Sequence, residues 1–178
     1  MKLHIGCGKR NLPGWKHYDV RKLDAHIDYV GSADDLSIFE DNSIEEIYAC
    51  HLLEHFGRHE VDKVLKEWNR VLMPSGGVHI AVPNFEAVVK IYQENHNLKS
   101  VIGPLYGGQD YEYNYHKCTF DFDLLKEKLE NAGFTDVEKY DWRDFLPEGY
   151  DDYSRAYLPH MDFENGTLIS LNVKARKI

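Results

Sequence analysis

No apolar stretch in this sequence approaches the ~20 residues needed to span a bilayer, cysteines are few, and acidic residues outnumber basic ones. The first absence excludes a membrane-spanning helix. The three cysteines, Cys7, Cys50 and Cys118, fit neither a zinc spacing nor an even disulfide set, so a reducing compartment, the cytoplasm, is expected. The N-terminus opens on a strand pattern and lacks the basic, apolar and small-residue regions of a secretory leader. Thirty acidic residues face 21 lysines and arginines, for a net charge of −9. A protein that grips nucleic acid through its phosphates needs a basic stripe. Lys9, Arg10, Lys16, Arg21 and Lys22 form only a loose group, which reads as solvated surface or as a dock for one short anionic group. DNA and long RNA are therefore not expected as substrates. Repeats, low-complexity tracts and linkers are missing too. Residues 1–178 are expected to form one domain, long enough to bury a core without disulfides or metal.

Among the residues present, Gly6 and Gly8 close a short apolar run and Asp19 closes the next one. Glycine lets backbone approach a ligand closely, and an acidic residue ending the neighbouring strand accepts from two ribose hydroxyls. Together they point to a nucleoside-binding crevice. Elsewhere, short extended runs alternate with amphipathic helices, the pattern of a parallel or mixed sheet flanked by helices.

Strands are predicted over 3–5, 18–20, 27–30, 46–50, 78–82, 137–141 and 168–175. A helix over about 60–73 follows from Val61, Val64, Leu65, Trp68, Val71 and Leu72, which make one buried stripe. A second helix opens at Asn84 as N-cap. A third opens near Asp121 and ends where Gly133 supplies a left-handed turn. The connections between the first three strands are too short for full crossover helices. Trp15 and Trp68 are expected in the core. Residues 99–117 and 143–165 lack core periodicity and are rich in Gly, Tyr, Asp and His; long irregular segments of this kind are usually functional or disordered.

Five blocks, in order, carry a family resemblance: Leu3-His-Ile-Gly-Cys-Gly8, His17-Tyr-Asp19-Val, Gly31-Ser-Ala-Asp-Asp-Leu36, Ile44-Glu-Glu-Ile-Tyr-Ala-Cys-His-Leu-Leu-Glu-His55, and Arg70-Val-Leu-Met-Pro-Ser-Gly-Gly77 running into Val78-His-Ile-Ala-Val-Pro83. The last two are the most specific. The chain resembles the small class I S-adenosylmethionine-dependent methyltransferases of the type 11 group. The likeness reaches Ala132-Gly-Phe134, with Ser170–Val173 as closing strand. It implies an α/β, trimmed Rossmann-like class I methyltransferase fold with a mostly parallel sheet and an antiparallel C-terminal strand.

The resemblance further implies S-adenosylmethionine as cosubstrate, held by Gly6, Cys7, Gly8, Asp19, Ser32, Ala33, Asp34 and Cys50. Two departures stand out. His4 and Arg10 occupy positions where the family usually has an acidic residue and a third glycine. Ser32-Ala33 replaces an Asp-Ala pair, leaving Asp34 or Asp35 to take the adenine amino group. The resemblance also places the acceptor under the two irregular segments, or under a second copy of the chain in a homodimer. It suggests O-methylation of a small hydroxylated acceptor, such as a sugar or nucleotide sugar in polysaccharide synthesis.

An oxygen acceptor must lose its proton, which calls for a base or a metal. His51, at the end of the fourth strand, and His116, in the tyrosine-rich stretch 106–117, are the candidate catalytic residues; the plainer reading of His51 is a local hydrogen bond. Ubiquinone-pathway and plant small-RNA methyltransferases resemble the His51–His55 segment and bind a divalent metal there. The corresponding residues are His51, Glu54 and His55, and the nitrogen at His51 favours zinc, manganese or iron over magnesium. Leu53-Glu54-His55 also has a plainer reading, as an organiser of the sheet edge. Two rivals complete the expectations: a non-catalytic protein that binds S-adenosylmethionine and regulates a partner, and a His-x-x-Glu-His metallopeptidase, which would need His51 to His55 inside a helix.

The charge balance makes a direct prediction. The protein should show no salt-dependent retention on DNA or long RNA in filter binding, and a steep salt slope would contradict it.

Overall fold

A computed structural model describes residues 1–178. Five strands run parallel: β1 (Lys2–Ile5), β2 (Lys16–Asp19), β3 (Tyr29–Val30), β4 (Ile44–Cys50) and β5 (Leu72–Pro83). The chain then forms β6 (Phe134–Lys139), a small separate ribbon of β7 (Tyr157–Leu158) with β8 (Thr167–Leu168), and β9 (Ser170–Lys177). In the sheet the order is β3-β2-β1-β4-β5-β9-β6, with β9 antiparallel to both of its neighbours. This is the mostly parallel sheet with an antiparallel C-terminal strand that the sequence implies.

Side chains alternate across a strand, so each strand offers one set to each face. Leu3 and Ile5, Ile47 and Ala49, Val78, Ile80 and Val82, and Leu171 and Val173 fall on one face and build the main core. Helices α1 (Val61–Val71) and α4 (Phe122–Asn131) cover it with Val64, Leu65, Trp68, Leu125 and Leu129, all fully buried. The Asp121 carboxylate caps α4 by accepting from the Leu124 amide at 2.8 Å, and Gly133 (φ +93°) ends it in the left-handed region. Asn84 caps α2 (Phe85–Asn95) by accepting from the Glu86 amide. Short helices α3 (Ile102–Tyr106) and α5 (Trp142–Phe145) lie within the regions without core periodicity.

The other face is polar and aromatic: His4, His17, Tyr48, His79 and Asn172. No helix joins β1 to β2 or β2 to β3, so this face is covered by a short aromatic layer instead. Trp15 packs edge-on against Tyr48 and Phe145, and Phe145 stacks on His79 at 4.2 Å. Half-buried Trp15 therefore belongs to a small second cluster, whereas Trp68 lies in the main core.

Several strand boundaries shift by about two residues, and three strands differ in ways that matter. Strand β5 begins at Leu72 rather than Val78, because Ile44 pairs with Leu72 before the register slips and Glu46 pairs with Gly77, throwing Met73 to Gly76 out as a bulge. Strand β6 starts directly after Gly133, three residues early, and β3 keeps only two residues of pairing.

His4 is buried at 1% exposure with Nδ1 lacking a partner, and its ring lies 5.6 Å from that of His17. Burial, reinforced by His17, Arg10 and His26, pushes His4 down to about 3. The unfolded chain, with an ordinary histidine, binds this proton more readily. Stability is therefore complete above pH ~6.5 and is lost as pH falls toward 3, at about 1.4 kcal/mol per pH unit. Thermal unfolding followed between pH 7 and 4 should fall less steeply for His4→Phe than for the wild type; equal slopes would remove His4 as a source.

Candidate active site

The strand order reverses at β1, which is flanked by β2 on one side and β4 on the other. In open α/β sheets ligands bind beyond the carboxyl ends of the strands at such a point. Here a cleft of about 330 Å³ opens, walled by Gly6, Gly8, Asp19, Ser32 to Asp34, His51 and His55.

Each wall has a local cause. Gly6 has φ +67° and lies so close to Leu52 that an added Cβ would stand 2.8 Å from both Leu52 methyls. Gly8, at φ +57°, turns the chain back so that its amide donates to Asp19 Oδ2 at 2.8 Å. The second Asp19 oxygen accepts the Arg21 amide at 3.0 Å. Two amides thus fix the carboxylate at the floor of the cleft, with its remaining lone pairs free for hydroxyls.

The turn after β3 is held from α1. Trp68 Nε1 donates to the Ala33 carbonyl at 2.8 Å, and Glu67 accepts the Leu36 amide at 2.8 Å. Lys63 sits 2.8 Å from Asp34, which also accepts from the Ser32 hydroxyl, and these partners hold the Asp34 carboxyl below its ordinary range. Asp34 lines the cleft and Asp35 does not.

At the end of β4, His51 adopts φ +50° and Leu53–His55 form one 3₁₀ turn. This single turn gives the segment no helical i, i+4 face, so the metallopeptidase arrangement is not formed. His51 Nε2 lies 3.2 Å from Ser170 Oγ, and Nδ1 lies 3.6 Å from Glu54 Oε1 without a hydrogen bond. Glu54 is fully buried with neither carboxylate oxygen hydrogen-bonded, and burial pushes it up to about 8. His116 Nε2 approaches the same oxygen at 3.8 Å, while its Nδ1 meets the Pro104 carbonyl at 2.9 Å. Burial drives His51 down to about 3 and His55 to about 4, so both rings are neutral at physiological pH.

The roof comes from Tyr111, Glu112, Tyr113, Tyr115 and Lys117. The Arg21 guanidinium lies 4.0 Å from the Tyr111 ring centre, a cation–π contact joining roof to floor. The Glu54 carbonyl anchors the strap by accepting the Lys117 amide at 2.8 Å.

The model of a methyltransferase domain family, type 11, matches residues 8–80, the stretch that builds most of this cleft. Over those residues the chain is similar to that methyltransferase family, and its fold is that of S-adenosylmethionine-dependent methyltransferases of known structure. A methyltransferase from Methanosarcina mazei has the same fold with a TM-score of 0.61 at 16% identity, covering 99% of this chain and 92% of that one. One from Archaeoglobus fulgidus gives 0.60 at 17%, covering 99% and 85%. The partner of the Trm112 methyltransferase activator in a complex from Haloferax volcanii gives 0.56 at 14%, covering 98% and 81%. No curated protein matches the sequence. No helix of the chain is long and apolar enough to cross a membrane.

Of the residues singled out in the sequence, the structure brings Gly6, Gly8, Asp19, Ser32, Ala33, Asp34 and His51 to the cleft. Cys7, Cys50 and His116 are not among the lining residues. The Cys7 thiol turns away, buried at 3% exposure; Cys50 packs on the aromatic face of the sheet beside Tyr48; His116 stands behind the wall, tied to Pro104. Residues 143–165 likewise do not line the cleft, because the uncovered sheet face takes Phe145, Leu146 and Tyr150. Sequence reasoning missed Arg21 as a cleft residue, although its place two residues after Asp19 was a usable signal. It also gave no sign that Trp68 holds Ala33.

Gly6→Ala meets both a disfavoured φ and the Leu52 methyls, and should cost about 1–3 kcal/mol in chemical unfolding. In a double-mutant cycle, Leu52→Ala should absorb part of that cost. Strict additivity would show that the close approach is not made.

Proposed function

We propose that this chain is an S-adenosylmethionine-dependent methyltransferase that acts on a hydroxyl of a small acceptor, with a sugar or nucleotide sugar of polysaccharide synthesis as the first class to examine. The observation that carries this reading is the roof. Three partly exposed tyrosines, Tyr111, Tyr113 and Tyr115, with Glu112 among them line the same cleft as Asp19. Such rings suit the apolar face of a sugar, and a carboxylate suits its hydroxyls. In this reading Gly6 and Gly8 underlie the methionine portion of the cofactor, Asp19 takes the ribose, and Ser32, Ala33 and Asp34 frame the adenine. Cys7 and Cys50 contribute by packing behind the walls. The three unpaired cysteines suit the cytoplasm.

Methyl transfer is an in-line displacement, so the cleft mainly aligns acceptor and methyl group and excludes water. As the acceptor oxygen bonds the methyl carbon, the bond from that carbon to the sulfonium breaks and leaves S-adenosylhomocysteine. The hydroxyl proton passes to the unprotonated Nδ1 of His51. His116 acts through Glu54 as a positioning residue.

A second reading rests on Glu54. Its two oxygens are buried without partners, and ligand atoms of Glu54, His55 and His116 lie within 4.8 Å of one another. These residues fit a divalent cation, with zinc, manganese or iron suited to the nitrogen-rich set. Such an ion would acidify the acceptor hydroxyl as a Lewis acid.

Transfer of labelled methyl from S-adenosylmethionine to a panel of sugars and nucleotide sugars tests the proposal. Transfer is expected to at least one hydroxylated member. Asp19→Ala should weaken cofactor binding about ten- to a hundred-fold by calorimetry, since a charge-assisted bidentate contact is worth roughly 1.5–3 kcal/mol. Binding without transfer to any acceptor would favour a regulatory cofactor-binding protein. Full turnover in chelator would retire the cation.

A further inference from the structure

Behind His51 lies a run of buried polar groups that the cleft itself does not explain. The Asp152 carboxylate, 3% exposed, accepts from the Tyr48 hydroxyl at 2.6 Å and from the Ser154 amide and hydroxyl at 2.9 and 2.6 Å. The Ser154 carbonyl faces Asn172 Nδ2 at 2.8 Å, Asn172 Oδ1 faces Ser170 Oγ at 2.9 Å, and Ser170 Oγ faces His51 Nε2 at 3.2 Å. Ser154, Ser170 and Asn172 are each buried to 4% exposure or less. Residues 119 positions apart in sequence thus meet at one imidazole.

Donor counting fixes the direction of every bond in this run. A carbonyl only accepts, so the Ser154 carbonyl requires the NH₂ of Asn172 on its side. The Asn172 amide oxygen is then the group facing Ser170, and it too can only accept. The one proton of the Ser170 hydroxyl is committed to it. Ser170 has nothing left to donate to His51, so the His51–Ser170 bond forms only with the proton on Nε2. The opposite assignment would turn Ser170 toward His51 and leave the buried Asn172 oxygen without a donor.

We propose that Asn172 and Ser170 are positioning residues that hold His51 in the Nε2–H tautomer, so that Nδ1 carries the free lone pair. This deepens the reading of His51 as the proton acceptor and rests on it. The second nitrogen, Nδ1, lies 3.6 Å from Glu54 Oε1 without a hydrogen bond, so its lone pair stays uncommitted. His116, His55 and Cys118 are the other titratable groups packed against Glu54. Asp152 at the far end has its oxygens committed to Tyr48 and Ser154, so it anchors the run without facing His51. The geometry of the run accounts for why serine and asparagine, rather than the apolar residues of the opposite face, occupy alternate positions of β9.

The test is nitrogen-15 NMR of histidine-labelled protein, as isolated and again with chelator, assigning His51 by His51→Gln. The wild type should show a protonated Nε2 and a bare Nδ1. Ser170→Ala and Asn172→Ala should each shift His51 to a mixture of tautomers, while affinity for S-adenosylhomocysteine stays within twofold and reports intact folding. Asn172→Ala frees the Ser170 hydroxyl to donate, so it remains informative if Ser170→Ala fails to fold. A wild-type His51 protonated on Nδ1, or a tautomer unmoved in both variants, would overturn the proposal. These readouts do not depend on turnover. Loss of methyl transfer to every acceptor alongside an intact tautomer pattern would instead count against the role given to His51.

Discussion

Backbone amides from the turns after β1 and β2 converge on the carboxylate of Asp19, and the architecture of the cleft follows from that convergence. The Gly8 amide at 2.8 Å and the Arg21 amide at 3.0 Å fix both oxygens. The β1 turn closes over the strand end only because Gly6 and Gly8 tolerate positive φ, and Gly6 can press against Leu52 only because it has no Cβ. The same two glycines and one carboxylate leave backbone accessible and charge directed at a single point. That is what a nucleoside with vicinal hydroxyls requires.

The two faces of the sheet divide the remaining work. The apolar face is sealed by α1 and α4, and α1 reaches past the core to grip the turn after β3 through Trp68, Glu67 and Lys63. Core packing and the Ser32–Asp34 wall of the cleft are therefore coupled through one helix. The opposite face has lost its first crossover helices and is covered by Trp15, Phe145, Tyr150 and the chain around Asp152. Its buried groups are histidines, tyrosines and amides, which must be hydrogen-bonded or held neutral. This explains both the depressed His4 and the polar run that ends on His51.

Much of this was legible in the sequence where the signal was local. The stripe from Val61 to Val71, the caps at Asn84 and Asp121, the Gly133 stop and the spacing from Gly6 to Asp19 are all set by neighbours in the chain, and each matches the structure. The short connections correctly implied that the early helices are missing. What could not be read was long-range. Nothing near Ser170 or Asn172 marks them as partners of a histidine 119 residues away. Neither glycine spacing nor family resemblance shows that Cys7 and Cys50 face away from the cleft, because a strand end can turn either way at a positive-φ residue. His116 lies in the right loop, but the Pro104 carbonyl turns it behind the wall.

The central claim is that the cofactor occupies the crevice at the carboxyl ends of β1 to β4. Backbone amide NMR during titration with S-adenosylhomocysteine tests it most directly. The largest shifts should fall on Gly6, Gly8, Asp19 and the Ser32–Asp34 turn. Shifts centred on the polar groove of Glu46, His79 and Glu138 at the other end of the strands, or none at saturation, would contradict it.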